Sequence, residues 1–245
     1  MPGLTTRLIS KRASRVLVCF PQSKQYYSDP SKVEVVGMPV RREFIFTRRE
    51  DARKALGLDE RPLIVSAFGS QGAKAMNEAV AGLFALEQAA GYPFQHIHAT
   101  GSYGWEWMPA HVKNLGVDLE TDNGIRMQEY IYNMPTVMAA ADLIISRAGA
   151  SSCNEIAASG TPCILIPSPN VTDNHQEKNA RAISERGGAV LVLEKECTAQ
   201  LLMERIRAIL ADETNYSAMC TAMRGACVLD SAERICSIME QLIKG

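Results

Sequence analysis

One segment of the chain brings small residues, hydroxyls and a carboxylate together at the expected start of a helix. In "SRAGASSCNE", residues 146–155, a predicted strand ends before Gly149, and Ser151 and Ser152 open the helix that carries Glu155. The first amides of a helix lack intrahelical partners and its dipole is positive there, so such a start can bind an anion. The spacing Ser152-x-x-Glu155 also matches a capping box, in which the glutamate serves only the helix. Both interpretations are compatible with these residues.

A second segment, "AFGSQGAK", repeats the arrangement of strand end, small residues and helix start. Gly69 and Gly72 flank Ser70 just ahead of the helix. The segment lacks the G-x-x-x-x-G-K-[ST] and G-x-G-x-x-G orders, and a plain strand-to-helix turn explains it equally well. Two anion sites in one domain would suit a diphosphate. Glu155 could then accept hydrogen bonds from two neighbouring hydroxyls, as acidic residues do for a ribose in dinucleotide folds.

The third segment, "PNVTDNHQEKNA", enters a helix through polar residues. His175 and Gln176 stand in its expected first turn and could contact sugar hydroxyls, while Asn174 could cap the helix. Gln176 and Asn179 are three positions apart and share one helical face. A surface histidine is the plainer interpretation of His175. The chain contains no D-x-D sequence, so we expect no metal-clamped diphosphate of that kind, no bound metal and no cofactor.

The elements that carry these segments alternate in type along the chain. Short apolar runs, each followed by a helical pattern, occupy residues 61–69, 94–101, 141–149, 162–169 and 189–196. Strands that alternate with helices predict βαβ units and a parallel sheet buried on both faces, with five or six strands. In such open sheets, ligands bind beyond the carboxyl ends of the strands, which is where all three segments fall.

The residues before this domain form an incomplete pattern. A possible helix at 4–12 and strands at 15–20 and 33–37 are too few for an independent domain. We therefore expect residues 1–40 to be the remnant of an N-terminal domain whose beginning is missing. Residues 41–61 would be an inter-domain linker, 62–228 a ligand-binding domain, and 229–245 a C-terminal packing helix.

Composition and charge narrow the class of protein. The 245 residues are 47% hydrophobic and 22% charged, typical of a globular protein, and contain no apolar run of membrane-spanning length or secretion signal. Seven cysteines without a C-x-x-C pair favour reduced thiols in the cytoplasm. Residues 1–54 hold 12 Lys and Arg against 5 Asp and Glu, which could meet an anionic membrane surface or be a solvated face. No aromatic residues interleave with these charges, so we expect no nucleic-acid partner.

The motifs resemble those of the MurG family. "SRAGASSCNEIAASGTPCILIPSPNVTDNHQEKNA" is similar to its nucleotide-sugar motif, and "VVGMPVR", "GSQGAKAMN" and "HATG" match its other landmarks in the same order. "PGLTTRLISKRASRVLVCFP" resembles the segment that closes its N-terminal domain. The resemblance covers essentially the whole chain. It implies a GT-B fold: two Rossmann-like domains facing a cleft, with the doubly wound parallel sheet of the C-terminal domain holding the donor.

The resemblance also implies a role for individual residues toward UDP-N-acetylglucosamine. Glu155 would hold the ribose hydroxyls, and Ile131 would bind uracil through its backbone with Tyr130 nearby. The diphosphate would be held by Ser70, by Arg41 and by the backbone amides near Ala150, Ser151 and Ser152. The N-acetylglucosamine would contact His175 and Gln176. This chain has His175 where the family often has glutamine, and Phe68 where it usually has the first of two glycines.

The activity implied by the resemblance is an inverting transfer in peptidoglycan synthesis. N-acetylglucosamine would pass from UDP to a lipid-linked muramyl-pentapeptide acceptor at the cytoplasmic face of the cell membrane, in support of cell-wall growth, cell shape and division. The family's N-terminal glycine-rich loop and its histidine are absent from the sequence, so we assign no catalytic residue and expect the chain alone to be inactive. Two alternatives are a non-catalytic UDP-N-acetylglucosamine-binding subunit of a split transferase and another GT-B UDP-sugar enzyme.

Overall fold

A computed structural model describes residues 3–119 and 124–244. The first two residues of the expected N-terminal segment 1–40 and the last residue of the expected segment 229–245 therefore lie outside the described residues. Its strands form a two-stranded and a six-stranded sheet, and all of the strand pairs in both are parallel. The strands are β1 Val16–Val18, β2 Val33–Val35, β3 Leu63–Ala67, β4 Gln95–Ala99, β5 Ile125–Gln128, β6 Leu143–Ser146, β7 Cys163–Leu165 and β8 Ala189–Leu191.

Helices separate most of the strands along the chain. They are α1 Leu4–Ser10, α2 Glu43–Phe46, α3 Arg49–Ala55, α4 Lys74–Ala89, α5 Ser102–Trp105, α6 Met108–Asn114, α7 Met134–Ala140, α8 Ala150–Ser159, α9 His175–Ser184, α10 Ala199–Ala211, α11 Glu213–Arg224 and α12 Ser231–Lys244. Short 3-10 turns lie at Pro21–Tyr26, Pro30–Lys32, Thr172–Asn174 and Glu194–Glu196. Within the described ranges, no helix is long and apolar enough to cross a membrane.

The six-stranded sheet is buried on both faces. Leu63 and Val65 of β3 lie in one apolar cluster with residues of α3, α7, α8 and α9. Ile64, between them, lies in a second cluster with residues of α4, α6, α10 and α11. Successive side chains of a strand point to opposite faces, so these near-continuous apolar runs suit a sheet covered by helices on both sides.

The strand order is β5-β4-β3-β6-β7-β8, so the direction of chain progression reverses between β3 and β6. The predicted doubly wound parallel sheet is therefore confirmed. The sequence patterns named five of its six strands. The sixth is β5, Ile125–Gln128, an edge strand on which only Ile125 is buried, and its apolar pattern is correspondingly short.

Residues 41–61, expected to link two domains, contain two helices that contact the large domain. Arg49 and Arg53 of α3 reach Asp142, just before β6, with nitrogen–oxygen distances of 2.6 and 3.3 Å. Asp142 also binds β3: its Oδ2 accepts the backbone N–H of Leu63 at 2.8 Å. This carboxylate thus ties α3 to the amino ends of β3 and β6.

The two-stranded sheet lies beside the C-terminal helix. The helix at 4–12 and the strands at 15–20 and 33–37 are confirmed as α1, β1 and β2. A Cβ on Gly37, after β2, would lie 2.5 Å from the Cβ of Val228, so these backbones approach closely. Arg42 and Glu233 of α12 form a loose, exposed ion pair at 3.9 Å. That residues 1–40 belong to a separate domain stays a prediction.

Candidate functional site

The loop after β3 is a tight turn that presents exposed backbone. Gly69 and Gly72 have φ values of +91° and +81°, which favour glycine, and the Gly72 N–H donates to the Gly69 carbonyl at 3.0 Å. Ser70 and Gln71 between them are exposed, and the Ser70 hydroxyl has no partner within the described residues. We call residues 69–72 the first loop. Helix α4 begins just beyond it at Lys74, without a side-chain cap.

Helix α8 begins one residue after Gly149, which corrects the capping-box interpretation. Gly149 is the N-cap, with extended backbone and no side-chain cap bond, so Ser152 lies inside the first turn and Glu155 in the second. Ser152 therefore cannot cap the helix, and Glu155 cannot reach back to it as the box requires. The first amides of α8, on Ala150, Ser151 and Ser152, have no intrahelical acceptor and remain available to an anion.

Glu155 is half-buried and has no hydrogen-bond partner among the described residues. Burial raises the pKa of its carboxyl, and the nearby Arg41 guanidinium partly opposes that shift. A carboxylate that is partly desolvated and unpaired is a strong acceptor for hydroxyl donors. With the capping box excluded, Glu155 makes no side-chain contact that explains its place on α8, and it stays a candidate ligand contact.

Arg41 stands between the first turn of α2 and Glu155. It is exposed, and its guanidinium lies over the Phe44 ring at 5.1 Å from the ring centroid. Phe44 is itself buried at 3% exposure, so it offers Arg41 a fixed apolar support. The guanidinium lies close enough to Glu155 to oppose the rise of its pKa.

Ile131 and Tyr130 follow β5. Ile131 is buried at 2% exposure, and its backbone N–H and carbonyl make no hydrogen bond within the described ranges. Tyr130 is 48% exposed and contacts Tyr132 edge-to-face, with 5.1 Å between ring centroids. A fixed backbone amide beside exposed aromatic rings has the chemistry of a nucleobase contact.

The start of α9 supplies the polar side chains predicted to meet a sugar. Gln176 accepts the backbone N–H of Ser168 at 2.9 Å, which leaves its amide N–H groups for a ligand. The exposed His175 donates from Nδ1 to the Thr172 carbonyl at 2.9 Å, which leaves Nε2 as an acceptor. Asn174 does occupy the N-cap position, but its side chain donates to Glu177 instead of capping the helix.

Several residues that the sequence patterns missed hold the second loop, defined here as residues 147–149 after β6. Arg147 donates to the Ile166 carbonyl at 3.1 Å and pairs closely with Glu194. Asn179 of α9 donates to the Ala148 carbonyl at 3.0 Å. The recognisable signal for Asn179 was its position on the same helical face as Gln176. No local spacing predicted the pair of Arg147 and Glu194, because it joins two distant parts of the chain.

A fully buried polar cluster lies beneath the first loop. Ser66 of β3 contacts His96 Nε2 and His98 Nδ1, both at 2.7 Å from its hydroxyl, and His96 Nδ1 contacts Glu87 at 2.8 Å. All four residues are completely buried. Burial, and then the neighbouring His96, lowers the pKa of His98 to about 3. Neither histidine reaches the surface on which the two loops lie, so we assign the cluster to the core.

The candidate site is an open face of the domain. Ser70, Ser151 and His175 are all exposed. A cavity of 320 Å³, by contrast, is lined by residues such as Asp142, Gly160 and Tyr216 at the amino ends of the strands, on the opposite edge of the sheet. Across the described residues, no group of three or more His, Cys, Asp or Glu side chains is arranged to hold a metal ion.

Comparison with known proteins gives consistent matches. Residues 63–235 match the family model described as glycosyltransferase family 28 C-terminal domain. The UDP-N-acetylglucosamine–N-acetylmuramyl-(pentapeptide) pyrophosphoryl-undecaprenol N-acetylglucosamine transferase of Acetivibrio thermocellus is 38% identical over 99% of this chain and 64% of its own length. The enzyme of the same name from Desulforudis audaxviator is 36% identical over 99% of this chain and 65% of its own. The chain thus spans a little under two thirds of these relatives.

Solved structures agree on the fold. A crystal structure of MurG from Acinetobacter baumannii superposes with a TM-score of 0.74 and 25% identity, covering 98% of this chain and 64% of the other. A UDP-N-acetylglucosamine 2-epimerase from Listeria monocytogenes, at 15% identity, reaches 0.71 over 97% of this chain and 62% of its own. The second likeness concerns the fold alone. Both agree with the parallel α/β fold of the six-stranded domain.

Proposed function

The chain belongs to the glycosyltransferase family 28 C-terminal domain family, and on that premise we propose that it binds UDP-N-acetylglucosamine as sugar donor. The reaction we propose for the protein is transfer of N-acetylglucosamine to a lipid-linked N-acetylmuramyl-pentapeptide, the chemistry named for its relatives. This reaction would serve peptidoglycan synthesis.

The convergence of two loops at the reversal point of the sheet carries the proposal. The first loop follows β3 and the second follows β6, and these strands are neighbours at the point where the strand order reverses. Open parallel sheets bind ligands in the crevice at this point. Each loop leads into a helix whose first amides are uncapped, so the crevice favours a group with two adjacent anionic centres.

The geometry supports a division of labour along the donor. The diphosphate would lie on the first loop, with Ser70, and on the α8 amides of Ala150, Ser151 and Ser152. Glu155, one turn farther along α8, would accept the two ribose hydroxyls. Arg41 would reach the diphosphate from the α2 side, since it already lies near Glu155.

The two ends of the donor would be bound by different elements. At one end, the Ile131 backbone would hold uracil, beside the exposed ring of Tyr130. At the other, the N-acetylglucosamine would meet Nε2 of His175 and the amide of Gln176, both at the start of α9. This arrangement spreads the ligand across the carboxyl edge of the sheet from β5 to β7.

These contacts would also promote departure of UDP. Breaking the bond from the sugar to the diphosphate leaves negative charge on the outer phosphate, and prearranged N–H donors stabilise charge that develops in a transition state. The amides of the first loop and of α8 and the Arg41 guanidinium are donors of this kind. In an inverting transfer, the acceptor hydroxyl attacks from the opposite side of the sugar and loses its proton to a base.

We expect no transfer by the 245-residue chain alone. His96 and His98 are fully buried, and His111 lies on α6 beside Trp107, 5.6 Å between ring centroids. We assign the fourth histidine, His175, to the donor sugar. Loss of a general base and misplacement of an acceptor each cost orders of magnitude in rate. Product formation from labelled donor and a soluble acceptor analogue would contradict this expectation.

The exposed apolar residues of α1 support a peripheral position on a membrane surface. Leu4, Leu8 and Ile9 of α1 are 66%, 56% and 63% exposed, and Lys11 and Arg12 follow directly. An apolar face flanked by cations suits the headgroup region of an anionic bilayer, where a lipid-linked acceptor would also lie. We therefore propose the cytoplasmic face of the cell membrane. Co-sedimentation with anionic but not neutral vesicles, lost on Leu8→Glu, would support it, and equal binding to both would not.

The donor proposal is tested by calorimetric titration of UDP and UDP-N-acetylglucosamine, with and without EDTA. We expect saturable binding of both ligands that EDTA leaves unchanged, because the diphosphate contacts are amides, a hydroxyl and a guanidinium. Absence of binding would refute the proposal. Binding that disappears with EDTA would refute the direct recognition of the diphosphate by protein donors.

A further inference from the structure

We propose that Asn77 is a positioning residue for the diphosphate: it holds the first loop in its anion-binding shape without touching the ligand. The inference rests on the proposed function and adds a residue that the sequence patterns did not single out. It concerns the contact between the first loop and the turn after β4, residues 100–104, which we call the clamp turn.

Asn77 joins α4 to the clamp turn from inside the protein. It is the fourth residue of α4, is 1% exposed, and donates from Nδ2 to the Thr100 carbonyl at 2.7 Å. Its Oδ1 is buried with no hydrogen-bond partner in the described part of the chain. A buried polar atom without a partner costs free energy. Among the described residues, the bond from Nδ2 to Thr100 is thus the hydrogen bond that offsets this cost.

Glycines allow the clamp turn and the first loop to touch. A Cβ on Gly72 would lie 2.0 Å from the Thr100 carbonyl oxygen, and one on Gly101 would lie 2.1 Å from the Gly72 nitrogen. A Cβ on Gly104 would lie 2.2 Å from Nδ2 of Asn77. Real Cβ atoms do not approach so closely, so the two backbone contacts require glycine at 72 and 101, whereas a side chain at 104 would push the Asn77 amide aside.

Two backbone hydrogen bonds transmit the position of the clamp turn to the first loop. The N–H of Ser102 donates to the Ser70 carbonyl at 3.1 Å, and the N–H of Tyr103 donates to the Gln71 carbonyl at 3.3 Å. Across a planar trans peptide, the carbonyl and the following N–H point in opposite directions. Binding the Ser70 carbonyl to the clamp turn therefore directs the Gln71 N–H away from it, toward the exposed side of the loop.

Asn77 thus acts on the anion-binding amides through two steps. Its side chain fixes Thr100, and the residues after Thr100 fix the carbonyls of the first loop. A loop held in its binding shape before the ligand arrives loses less conformational entropy on binding. Removing the Asn77 amide should free the loop. The affinity for the diphosphate should then fall, while the uridine contacts, after β5 and on α8, are preserved.

The experiment compares UDP with uridine in competition titrations on the 245-residue chain. For Asn77→Ala we expect the affinity for UDP to fall roughly tenfold, the scale of about one lost hydrogen bond, and the affinity for uridine to stay unchanged. Gly104→Ala is a second variant, because its new methyl group would displace the Asn77 amide within an otherwise helical segment. Gly104→Ala should also lose affinity for UDP and keep its affinity for uridine, so it replaces Asn77→Ala as the test if that variant does not fold.

Gln95→Ala is the matched control. Gln95 is 4% exposed on β4, and its Oε1 accepts the Asp59 N–H at 3.0 Å, so the variant also loses a buried bond from side chain to backbone. It lies at the opposite end of the strand, and both affinities should be retained.

Equal loss of UDP and uridine binding in Asn77→Ala and Gly104→Ala, or no loss in either, would overturn the positioning role. If the unsubstituted chain binds neither ligand, the proposed function fails and this inference with it. If the unsubstituted chain binds both ligands, the proposed function stands and the two variants alone test the positioning role of Asn77.

Discussion

Replacing Glu155 with alanine should weaken UDP binding without weakening the fold. Glu155 makes no hydrogen bond among the described residues, and Gly149, not Ser152, is the N-cap of α8, so no cap is lost. Alanine also favours helix more than glutamate does. The loss on binding should be about 1 to 3 kcal/mol, the scale of hydrogen bonds to a charged acceptor, or roughly 5- to 150-fold in affinity.

The role of Glu155 can also be tested through the pH dependence of the free energy of unfolding and of the affinity for UDP. Its pKa is raised in the folded protein, so the folded state holds this proton more tightly than the unfolded chain. The carboxylate therefore costs stability once the pH exceeds its ordinary range, and Glu155→Gln should raise the free energy of unfolding at neutral pH. Ligand hydroxyls need the charged form, so the affinity of the unsubstituted chain for UDP should fall in acid more steeply than that of Glu155→Gln.

The assay is calorimetric titration of UDP and 2′-deoxy-UDP, paired with thermal unfolding. Glu204→Ala, the same change on an exposed position of α10, is the control and should alter neither measurement. Glu155→Ala should lose more affinity for UDP than for the deoxy ligand, because one of the two hydroxyls is absent from the latter. Equal losses for both ligands, or a lower unfolding temperature with unchanged affinity, would refute the ribose assignment.

Three further outcomes are expected. Asp142→Ala should lower the free energy of unfolding by about 2 to 4 kcal/mol in urea, because it removes the carboxylate that Arg49, Arg53 and the Leu63 N–H share. UDP affinity should persist, and its loss would contradict the separation of the two sheet edges. His98, with its pKa lowered to about 3, stays neutral when the unfolded chain takes up a proton below pH 6.5. Stability should therefore fall as the pH drops from 6.5, by up to about 1.4 kcal/mol per unit, and His98→Gln should reduce that slope; an unchanged slope would argue against a buried neutral imidazole. His175→Ala should weaken UDP-N-acetylglucosamine binding about three- to tenfold and leave UDP unchanged; equal effects on both would remove His175 from the sugar contacts.

The sequence predicted the fold class because burial on both faces leaves a plain pattern. Apolar runs such as residues 63–67 and 143–146, each followed by a helix, could hardly belong to anything but a covered parallel sheet. β5 escaped notice because its sequence, IRMQ, mixes apolar and polar residues, whereas the other edge strand, β8, is continuously apolar. Strand order also could not be read locally, since it depends on which distant strands pair.

The candidate site was predictable where it depends on local chemistry and not where it depends on long-range contact. Small residues before Ser70 and Ser151 indicated the two loops, because tight turns between a strand and a helix favour residues with small side chains. The same local reasoning left the capping box of Ser152 and Glu155 open as one of two interpretations, and the structure excludes it because Gly149, three residues earlier, adopts the extended N-cap backbone. Asn77 and Asn179 bond to backbone carbonyls 23 and 31 residues away, and only the packed structure reveals those bonds.

The reversal of strand order between β3 and β6 has a consequence for how the chain folds. β3, β4 and β5 form one run of successive strands, and β6, β7 and β8 form another, so each half can assemble from near neighbours in sequence. The seam between them pairs Ile64 with Leu143, a contact that must close a long stretch of chain and should form late. The first loop, after β3, and the second loop, after β6, lie on either side of this seam. A nucleotide bound across them would hold the halves together, so we expect UDP to slow unfolding by stabilising the last interface to form.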